Sequence, residues 1–256
     1  MLLASRNMTN LFSELPNAAT PLSVPARVLT IGAHPDDAEF GAGAAIARWA
    51  DAGAHITVCV VTDGSKGSWN ADEDAPSLIA KRMEEQQLAA QELGAQDVVH
   101  LGYVDGELEY SKSLRRELAR QIRLTTPDVV LSHDPWQRYQ LHPDHRATGF
   151  AAVDAVVDAR EPLAHQDLDL PAHRPSSLLL WSADEPDHAE PVEPEWFAIK
   201  IRALLCHSSQ STTTMGGAAS GHDERHAFEQ KLAAWQDASG AAFGIGPAET
   251  FKRIAP

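Results

Sequence analysis

Two short groups of histidine and aspartate residues are the chemically most informative features of this sequence. The first group comprises His34, Asp36 and Asp37, directly after the apolar run 27–32. Imidazole and carboxylate bind divalent metals such as zinc, and catalytic sites of this kind use three protein ligands and leave one position open. A second carboxylate beside that position can accept a proton from water. Taken alone, the group also fits a surface turn with Asp37 at a helix N-terminus.

The second group lies about a hundred residues further along, at His142, Asp144 and His145. One of its imidazoles could supply the third metal ligand, and the other could face a substrate carbonyl. Taken alone, this group also fits a helix N-cap with two solvated histidines. Both groups follow apolar runs and both contain His-Pro-Asp, so together they favour a mononuclear metal hydrolase.

Apolar runs alternate with helical patterns through residue 159, and this alternation predicts the scaffold that positions the two groups. We predict strands at 28–31, 55–62, 97–101 and 127–132, and helices at 41–53, 77–93, 113–125 and 144–159. The order is typical of an α/β fold, a Rossmann-like three-layer sandwich with a mostly parallel sheet and helices on both faces. Such sheets carry their ligand sites at the carboxyl ends of the strands.

The pattern is less regular in the remaining part of the chain. We predict strands at 177–181 and 196–199, helices at 200–206 and 222–235, and a long mobile loop at 208–221 of the kind that often serves as a lid. Residues 1–25 are predicted to form an N-terminal tail or arm, and residues 26–256 a single catalytic domain.

Composition narrows the class of protein. The formal net charge of -15 argues against a nucleic-acid partner. No stretch approaches the roughly 18 apolar residues of a membrane span, so no integral membrane segment is expected. Cys59 and Cys206 are interpreted as packing residues, and the absence of a disulfide framework predicts a cytoplasmic protein. The sequence gives no indication of an oligomeric state.

The two motifs resemble those of a known enzyme family. AHPDDAEFGAG at 33–43, followed by HPDH at 142–145, resembles the PIG-L/LmbE-like zinc-dependent de-N-acetylases. That family includes N-acetylglucosaminyl-phosphatidylinositol deacetylases and deacetylases of the mycothiol and bacillithiol pathways. Weaker matches follow in the family's order, among them TDG at 62–64 and AETF at 248–251. One departure is Ala44, where the family often has a second glycine, but this change removes no ligand.

The resemblance implies a role for each residue of the two motifs. His34, Asp37 and His145 would bind zinc, although iron(II) suits the same ligands. Asp36 would be the general base that deprotonates water and then the acid that protonates the departing amine. His142 would stabilise the oxyanion, and Asp144 would orient His142.

The candidate substrate-contacting residues rest on weaker matches to the family. Arg82 and Asp105 match positions that contact the sugar in family members, but a solvated helix face and a turn residue remain open as alternatives. His133 and His207 are candidates for the rim of the site. Three aromatic residues in nearby loops could stack on a sugar, although packing under a loop is the default interpretation: Trp69, Trp136 and Tyr139.

The sequence thus predicts a metal-dependent hydrolase that removes an N-acetyl group from an N-acetylglucosamine-type sugar or glycoconjugate. One alternative is an amidase that acts on a thiol conjugate or a natural-product intermediate. Another is a non-catalytic sugar- or nucleotide-binding module. Against the module, the first strand is not followed by the Gly-x-Gly-x-x-Gly phosphate-binding pattern.

Overall fold

A computed structural model describes residues 20–256, so most of the predicted N-terminal arm (1–19) lies outside the described residues. The strands are β1 (Arg27–Gly32), β2 (His55–Thr62), β3 (Asp97–Tyr103), β4 (Val129–His133), β5 (Ser177–Trp181), β6 (His188–Pro191) and β7 (Ala248–Ile254). The helices are α1 (Asp37–Asp51), α2 (Ala75–Glu92), α3 (Lys112–Thr125), α4 (Pro143–Arg160), α5 (Pro194–Cys206) and α6 (His222–Ala241). No helix in residues 20–256 is long and apolar enough to cross a membrane.

The strands form one sheet in the order β3-β2-β1-β4-β5-β7-β6. Strands β1 to β5 pair in parallel, whereas β7 is antiparallel to both β5 and β6. The predicted mostly parallel sheet is therefore confirmed. The connections after β1 and β4 run to opposite sides of these neighbouring strands, and ligands of open α/β sheets bind in the crevice at such a switch point.

Helices cover both faces of the sheet, as predicted for a three-layer sandwich. One core contains Val28, Ile56 and Val58 and packs under α1, α2 and α5. The other contains Leu29 and Ile31 and packs under α3 and α4. Successive strand residues thus point to opposite cores, as the pleat requires when both faces are buried.

Three local predictions are corrected by the structure. Residues 196–199 belong to α5, which begins with Pro194 in its first turn and buries Ile201 and Leu204 on one side. The short apolar run therefore continues a helical period, and this period overrides the strand propensity of its aromatic and branched residues. Helix α1 begins at Asp37 and not at residue 41, and strands β6 and β7 were not predicted.

Residues 208–221, which we predicted as a long mobile loop, form a loop that is partly packed. The segment begins with a 3-10 turn, Ser208–Gln210, and continues through hydrogen-bonded turns. Its Met215 and Ala218 are only 2% and 3% exposed and pack in a small core with α5 and α6. Composition alone concealed this packing, because the two apolar residues are separated by glycines and hydroxyl residues.

Candidate active site

The first motif forms a tight turn at the carboxyl end of β1. The backbone N–H of His34 donates to Oδ2 of Asp37 at 2.7 Å. Asp36 precedes α1 and has a φ of 99°, a left-handed conformation that is uncommon for residues other than glycine. Its backbone N–H donates to Oε1 of Gln86 at 3.1 Å. The fold therefore holds Asp36 in a conformation that its own backbone does not favour.

Helix α2 supplies the side chains that hold this turn. Arg82 donates from Nη2 to the carbonyl oxygen of Pro35 at 2.7 Å and from Nη1 to that of Gly64 at 3.1 Å. Gln86 donates from Nε2 to Oε1 of Glu39 at 2.6 Å, which turns its amide oxygen towards Asp36. Arg82 is 3% exposed, so the alternative of a solvated helix face is wrong.

The second motif forms the start of α4. His142 is the N-cap residue and Pro143 occupies the first turn, where its missing N–H costs no helical hydrogen bond. His142 and His145 then lie three residues apart and stack at a centroid distance of 4.9 Å. Since α4 follows β4, which lies beside β1 in the sheet, the two motifs meet at the switch point.

The three side chains predicted as metal ligands contact one another in pairs. Nδ1 of His34 is 3.1 Å from Nε2 of His145 and 3.6 Å from Oδ2 of Asp37. Oδ1 of Asp37 is 3.4 Å from Nε2 of His145. In a tetrahedral zinc site, bonds of about 2.0–2.1 Å place neighbouring ligand atoms about 3.3–3.4 Å apart. Each pairwise separation is close to this value, with Asp37 facing His34 through Oδ2 and His145 through Oδ1.

Other donors lie beside these three. Within residues 20–256, donor atoms also lie within 4.8 Å of one another in three combinations: His34 with His142 and His145, Asp37 with His133 and His145, and His34 with Asp105, His142 and Asp144. All three combinations draw on the same crevice. A His/Asp group able to bind a metal is therefore present.

Asp144 contacts a different histidine from the one that we predicted. Its Oδ2 lies 3.2 Å from Nε2 of His34 and accepts the backbone N–H of Gly106 at 2.6 Å, while Oδ1 accepts that of Leu108 at 3.3 Å. Asp144 thus contacts His34 directly, while a ring nitrogen of His142 lies within 4.8 Å of its carboxylate. The role of Asp144 in orienting His142 stays a prediction.

His133 and Asp105 also act on the predicted ligands. Nε2 of His133 lies 3.0 Å from Oδ2 of Asp37, and the indole N–H of Trp181 donates to Nδ1 of His133 at 3.1 Å. Nε2 also accepts the backbone N–H of Ala33 at 3.2 Å, so both ring nitrogens of His133 have partners. Oδ1 of Asp105 lies 3.2 Å from Nε2 of His34, so Asp105 is more than a turn residue. Hydrogen bonds of this kind fix the orientation of metal ligands.

The imidazoles and carboxylates of the crevice shift one another's pKa values. Burial by itself lowers the pKa of His34, but hydrogen bonds to three surrounding carboxylates raise it to about 11. Burial tends to raise the pKa of Asp37, yet the imidazoles of His145 and His133 hold it well below its usual range. Burial lowers the pKa of His145 to about 3, which keeps this imidazole neutral and its lone pair available.

Asp36, the other carboxylate of the first motif, is only 6% exposed. Its Oδ2 has no hydrogen-bond partner within the described part of the chain and lies 3.8 Å from Nη2 of Arg82. Burial raises the pKa of Asp36 to about 6, against the opposing effects of Arg82 and His207. A carboxyl group with this pKa is ionised at neutral pH and is still basic enough to take a proton.

A cavity of about 630 Å³ opens above the cluster. Its lining includes the predicted residues His34, Asp36, Asp37, Arg82, Asp105, His133, His142 and His145. The sequence reading missed Lys66 and Trp181, which also line it. Lys66 stands in the glycine- and serine-rich turn after β2, and this position at a strand's carboxyl end was the available signal. Trp181 ends β5 in the same way.

The structure does not support two other predictions, one for His207 and one for the three loop aromatic residues. His207 is fully buried and is absent from the cavity lining; its Nε2 lies 3.8 Å from Oε2 of Glu39. Its place behind the turn, at the end of α5, does not support the predicted contact with substrate. Trp69, Trp136 and Tyr139 are 80%, 55% and 92% exposed, so packing under a loop is wrong for all three. Of these, Trp69 lines the cavity.

Comparison with known proteins agrees with this geometry. Residues 29–156 match the model of the PIG-L family, described as GlcNAc-PI de-N-acetylase. A diacetylchitobiose deacetylase of Thermococcus kodakarensis is 33% identical over 193 residues, which cover 74% of this chain and 72% of that protein. The chain belongs to the PIG-L family. It is an enzyme of the amide-hydrolysing type that the family comprises.

One further relative and one solved structure are also similar to this PIG-L protein. A probable N-acetyl-alpha-D-glucosaminyl L-malate deacetylase 2 of Bacillus anthracis is 29% identical over 199 residues, 73% of this chain and 82% of that protein. The solved structure of N,N'-diacetylchitobiose deacetylase from Pyrococcus horikoshii, in complex with an inhibitor, superposes with a TM-score of 0.80 at 30% identity. The match covers 90% of this chain and 84% of that one.

Proposed function

We propose that this protein is a metal-dependent N-deacetylase that releases acetate from an N-acetylglucosamine-type sugar or glycoconjugate. The observation that carries the proposal is the grouping of His34, Asp37 and His145 at mutual distances of 3.1–3.6 Å, beside the unpartnered carboxyl of Asp36. The names of its relatives support the substrate class, since they are deacetylases of diacetylchitobiose and of a glucosaminyl malate. These relatives favour an enzyme over a non-catalytic binding module.

His34, Asp37 and His145 would hold the divalent cation, and zinc suits their donor set. When bound, the cation supplies Lewis-acid chemistry, polarising a carbonyl and making water more acidic. Asp36 accepts the proton of the attacking water and later donates it to the nitrogen of the departing sugar amine.

His142 faces the cavity as a hydrogen-bond donor for the oxygen of the scissile acetyl group. Its Nδ1 has no partner in residues 20–256, and burial lowers the pKa of this imidazole, as does the adjacent charge of His34. A neutral imidazole offers a donor to the oxyanion that develops as water adds to the carbonyl. Asp144 and Asp105 act indirectly in this scheme, because both contact His34.

In this scheme, Arg82 holds the turn that carries Asp36. Two of its nitrogens are engaged by backbone carbonyls, and it lies 3.8 Å from Asp36.

We also propose a cytoplasmic location, which the free thiols of Cys59 and Cys206 support, and a single catalytic domain over residues 26–256.

Substitution of the base tests the proposal. We expect Asp36→Ala to bind zinc in the same molar ratio as the unaltered protein, because Asp36 is outside the proposed ligand set. Acetate release should fall by about 10²–10⁴-fold, the usual contribution of a general base. Asp51→Ala, an exposed position at the end of α1, is the matched control and should retain full activity.

Metal content by atomic absorption and acetate by a coupled assay, with N,N'-diacetylchitobiose as substrate, provide the two measurements. Zinc, iron(II) and chelator arms identify the active ion. Unchanged acetate release in Asp36→Ala would refute the assignment of the base. An unaltered protein that carries one equivalent of metal but releases no acetate from any N-acetylated sugar would refute the function.

A further inference from the structure

One wall of the active-site cavity is formed by two segments that are far apart in sequence. The turn after β2 contributes residues 66–69, and the segment after α5 contributes Gln210, Thr213 and Thr214. We refer to residues 66–69 and 210–214 as the cavity wall. Neither segment contains a proposed metal ligand or the proposed base. The cavity wall therefore bears on how a substrate is held and not on the reacting groups.

A single buried amide joins the two segments of the cavity wall. Gln210 donates from Nε2 to the carbonyl oxygen of Gly67 at 2.9 Å, and its Oε1 accepts from Oγ1 of Thr213 at 2.9 Å. The backbone at Gly67 has little room to shift. A Cβ added there would overlap with Nη1 of Arg82 and lie 3.0 Å from Nε2 of Gln210. The first segment is thus held between α2 and the second segment.

Glu85 of α2 anchors the start of the second segment. Its Oε1 accepts the hydroxyl of Ser208 and the backbone N–H of Ser209, both at 2.8 Å. Its Oε2 accepts the hydroxyl of Ser209 at 2.5 Å, and Nε2 of Gln210 lies 3.1 Å from the same hydroxyl oxygen. Hydrogen bonds to a charged acceptor are about twice as strong as neutral ones, and this carboxylate is buried. The anchor therefore continues directly into the amide that joins the cavity wall.

Glu85 shares one face of α2 with Arg82 and Gln86, because these residues are three and four apart along the helix. Arg82 and Gln86 hold the turn that carries Asp36. The hydrogen bonds of the Glu85 side chain within residues 20–256 go instead to the start of the second segment. One helix face thus supports two parts of the site, and Glu85 supports the one that faces the substrate.

We propose that Glu85 and Gln210 are positioning residues that hold the cavity wall in the conformation that binds substrate. The inference rests on the proposed function, which puts the N-acetylated sugar in this cavity. Glu85 orders the start of the second segment, and Gln210 fixes its separation from Gly67. Without them, the cavity wall must become ordered when substrate binds, and this ordering lowers the affinity. Asp36 and the proposed metal ligands keep their own supports.

Substitution of Glu85 tests the proposal in the metal-loaded full chain with N,N'-diacetylchitobiose as substrate. In Glu85→Ala, KM should rise about tenfold while kcat stays within about threefold, the pattern of lost substrate binding. Glu84→Ala removes an exposed carboxylate from the next position of α2 and should leave both values unchanged. A general loss of folded protein lowers kcat and leaves KM as it was. Unchanged KM in Glu85→Ala would overturn the proposal.

The isosteric variant separates hydrogen-bond geometry from charge. Glu85→Gln keeps Oε1 as the acceptor for Ser208 and Ser209, and its Nε2 can donate to the hydroxyl oxygen of Ser209. Its KM should therefore stay within about threefold of that of the unaltered protein. A KM as high as that of Glu85→Ala would show that charge and not positioning matters, and would overturn the role of Glu85.

A double variant tests whether the two residues act on the same wall. Gln210→Met keeps the side-chain length but removes both hydrogen bonds of the amide, and its KM should also rise about tenfold. In the combination of Glu85→Ala with Gln210→Met, KM should rise by clearly less than the product of the two single effects, because the wall is already released by either change. Fully multiplicative effects would overturn a shared action.

A binding measurement separates this inference from the proposed function. Isothermal titration of the metal-free full chain with N,N'-diacetylchitobiose involves no turnover. Binding that is about tenfold weaker in Glu85→Ala than in Glu84→Ala supports the positioning role even if the unaltered protein releases no acetate. Equal binding by these two variants, together with acetate release by the unaltered protein, overturns the positioning role and leaves the proposed function intact.

Discussion

Asp36 combines three conditions that a general base needs, and each comes from a different neighbour. The left-handed turn holds its backbone, burial raises its pKa, and Arg82 and His207 keep that pKa at about 6. A fully buried carboxyl without these positive neighbours would stay protonated at neutral pH. In the proposed mechanism, the neighbours of Asp36 thus set the protonation of the base.

The pKa of Asp36 predicts the acidic limb of the pH profile. The base acts in its ionised form, so kcat/KM should fall about tenfold per unit as the pH drops below the pKa. That pKa is about 6 without metal, and a bound cation favours the carboxylate and lowers it further. We therefore expect the limb at or below pH 6, measured as acetate release with saturating metal. A limb above pH 7 would contradict the assignment.

Gln86 provides a test of the left-handed turn itself. Gln86→Leu keeps the side-chain size but removes the acceptor of the Asp36 N–H, a buried group whose loss of partner costs about 1–3 kcal/mol. We expect kcat to fall about 10²-fold with KM changed little, since orientation is lost and not substrate affinity. Gln87→Leu, exposed on the same helix, should leave kcat unchanged. A matching fall in both variants, or a rise in KM alone, would argue against this role.

At the scale of elements, α1 is a helix with an internal break. Ala42 has φ and ψ of -150° and 18°, and the N–H groups of Ala44 and Ala45 beyond the break donate to the carboxylate of Glu249. Lys200 donates to the same carboxylate at 2.6 Å and to the carbonyl oxygen of Phe40 at 2.8 Å. A residue of β7 thus caps the second half of α1, and a residue of α5 satisfies the end of the first.

This ion pair predicts a large stability effect. Glu249→Gln leaves the fully buried ammonium of Lys200 without its counter-charge, so we expect a loss of about 3–5 kcal/mol in urea unfolding. Glu109→Gln, an exposed acid, should change stability by less than about 0.5 kcal/mol. Adding Lys200→Met to Glu249→Gln should recover part of the loss, because the unpaired charge is then gone. Strictly additive losses would show that the two residues are not coupled.

The elements also show how far sequence reasoning reaches. The strands and helices through residue 159 were predicted because each follows a regular period and ends at a turn residue. The start of α1 was placed late because its first turn lies before the break at Ala42, and the part beyond the break is capped by Glu249, some 200 residues away in sequence. The motifs marked the ligand cluster, whereas the burial of His207 and the contact of Asp144 with His34 depend on tertiary packing that no local spacing encodes.

At the scale of the whole molecule, the metal site joins the two halves of the parallel sheet. His34 and Asp37 follow β1, His145 follows β4, and the connections from these strands lead to opposite faces. An ion that binds all three links α1 on one side of the sheet with α4 on the other. Because the three donors come from distant parts of the chain, the unfolded protein offers no preformed site, and binding adds to the stability of the folded state.

This linkage predicts a rise in thermal stability on metal addition. Zinc at a hundredfold excess over its Kd stabilises the native state by about 2.7 kcal/mol, or roughly 5–10 °C in Tm for a chain of this size. His145→Ala should lose most of this shift, whereas His226→Ala, on the exposed face of α6, should retain it. The shift should shrink as the pH falls, because protons compete for the imidazole ligands. Differential scanning fluorimetry with zinc and with chelator measures both effects, and an equal Tm in the two would exclude a single site built from these three residues.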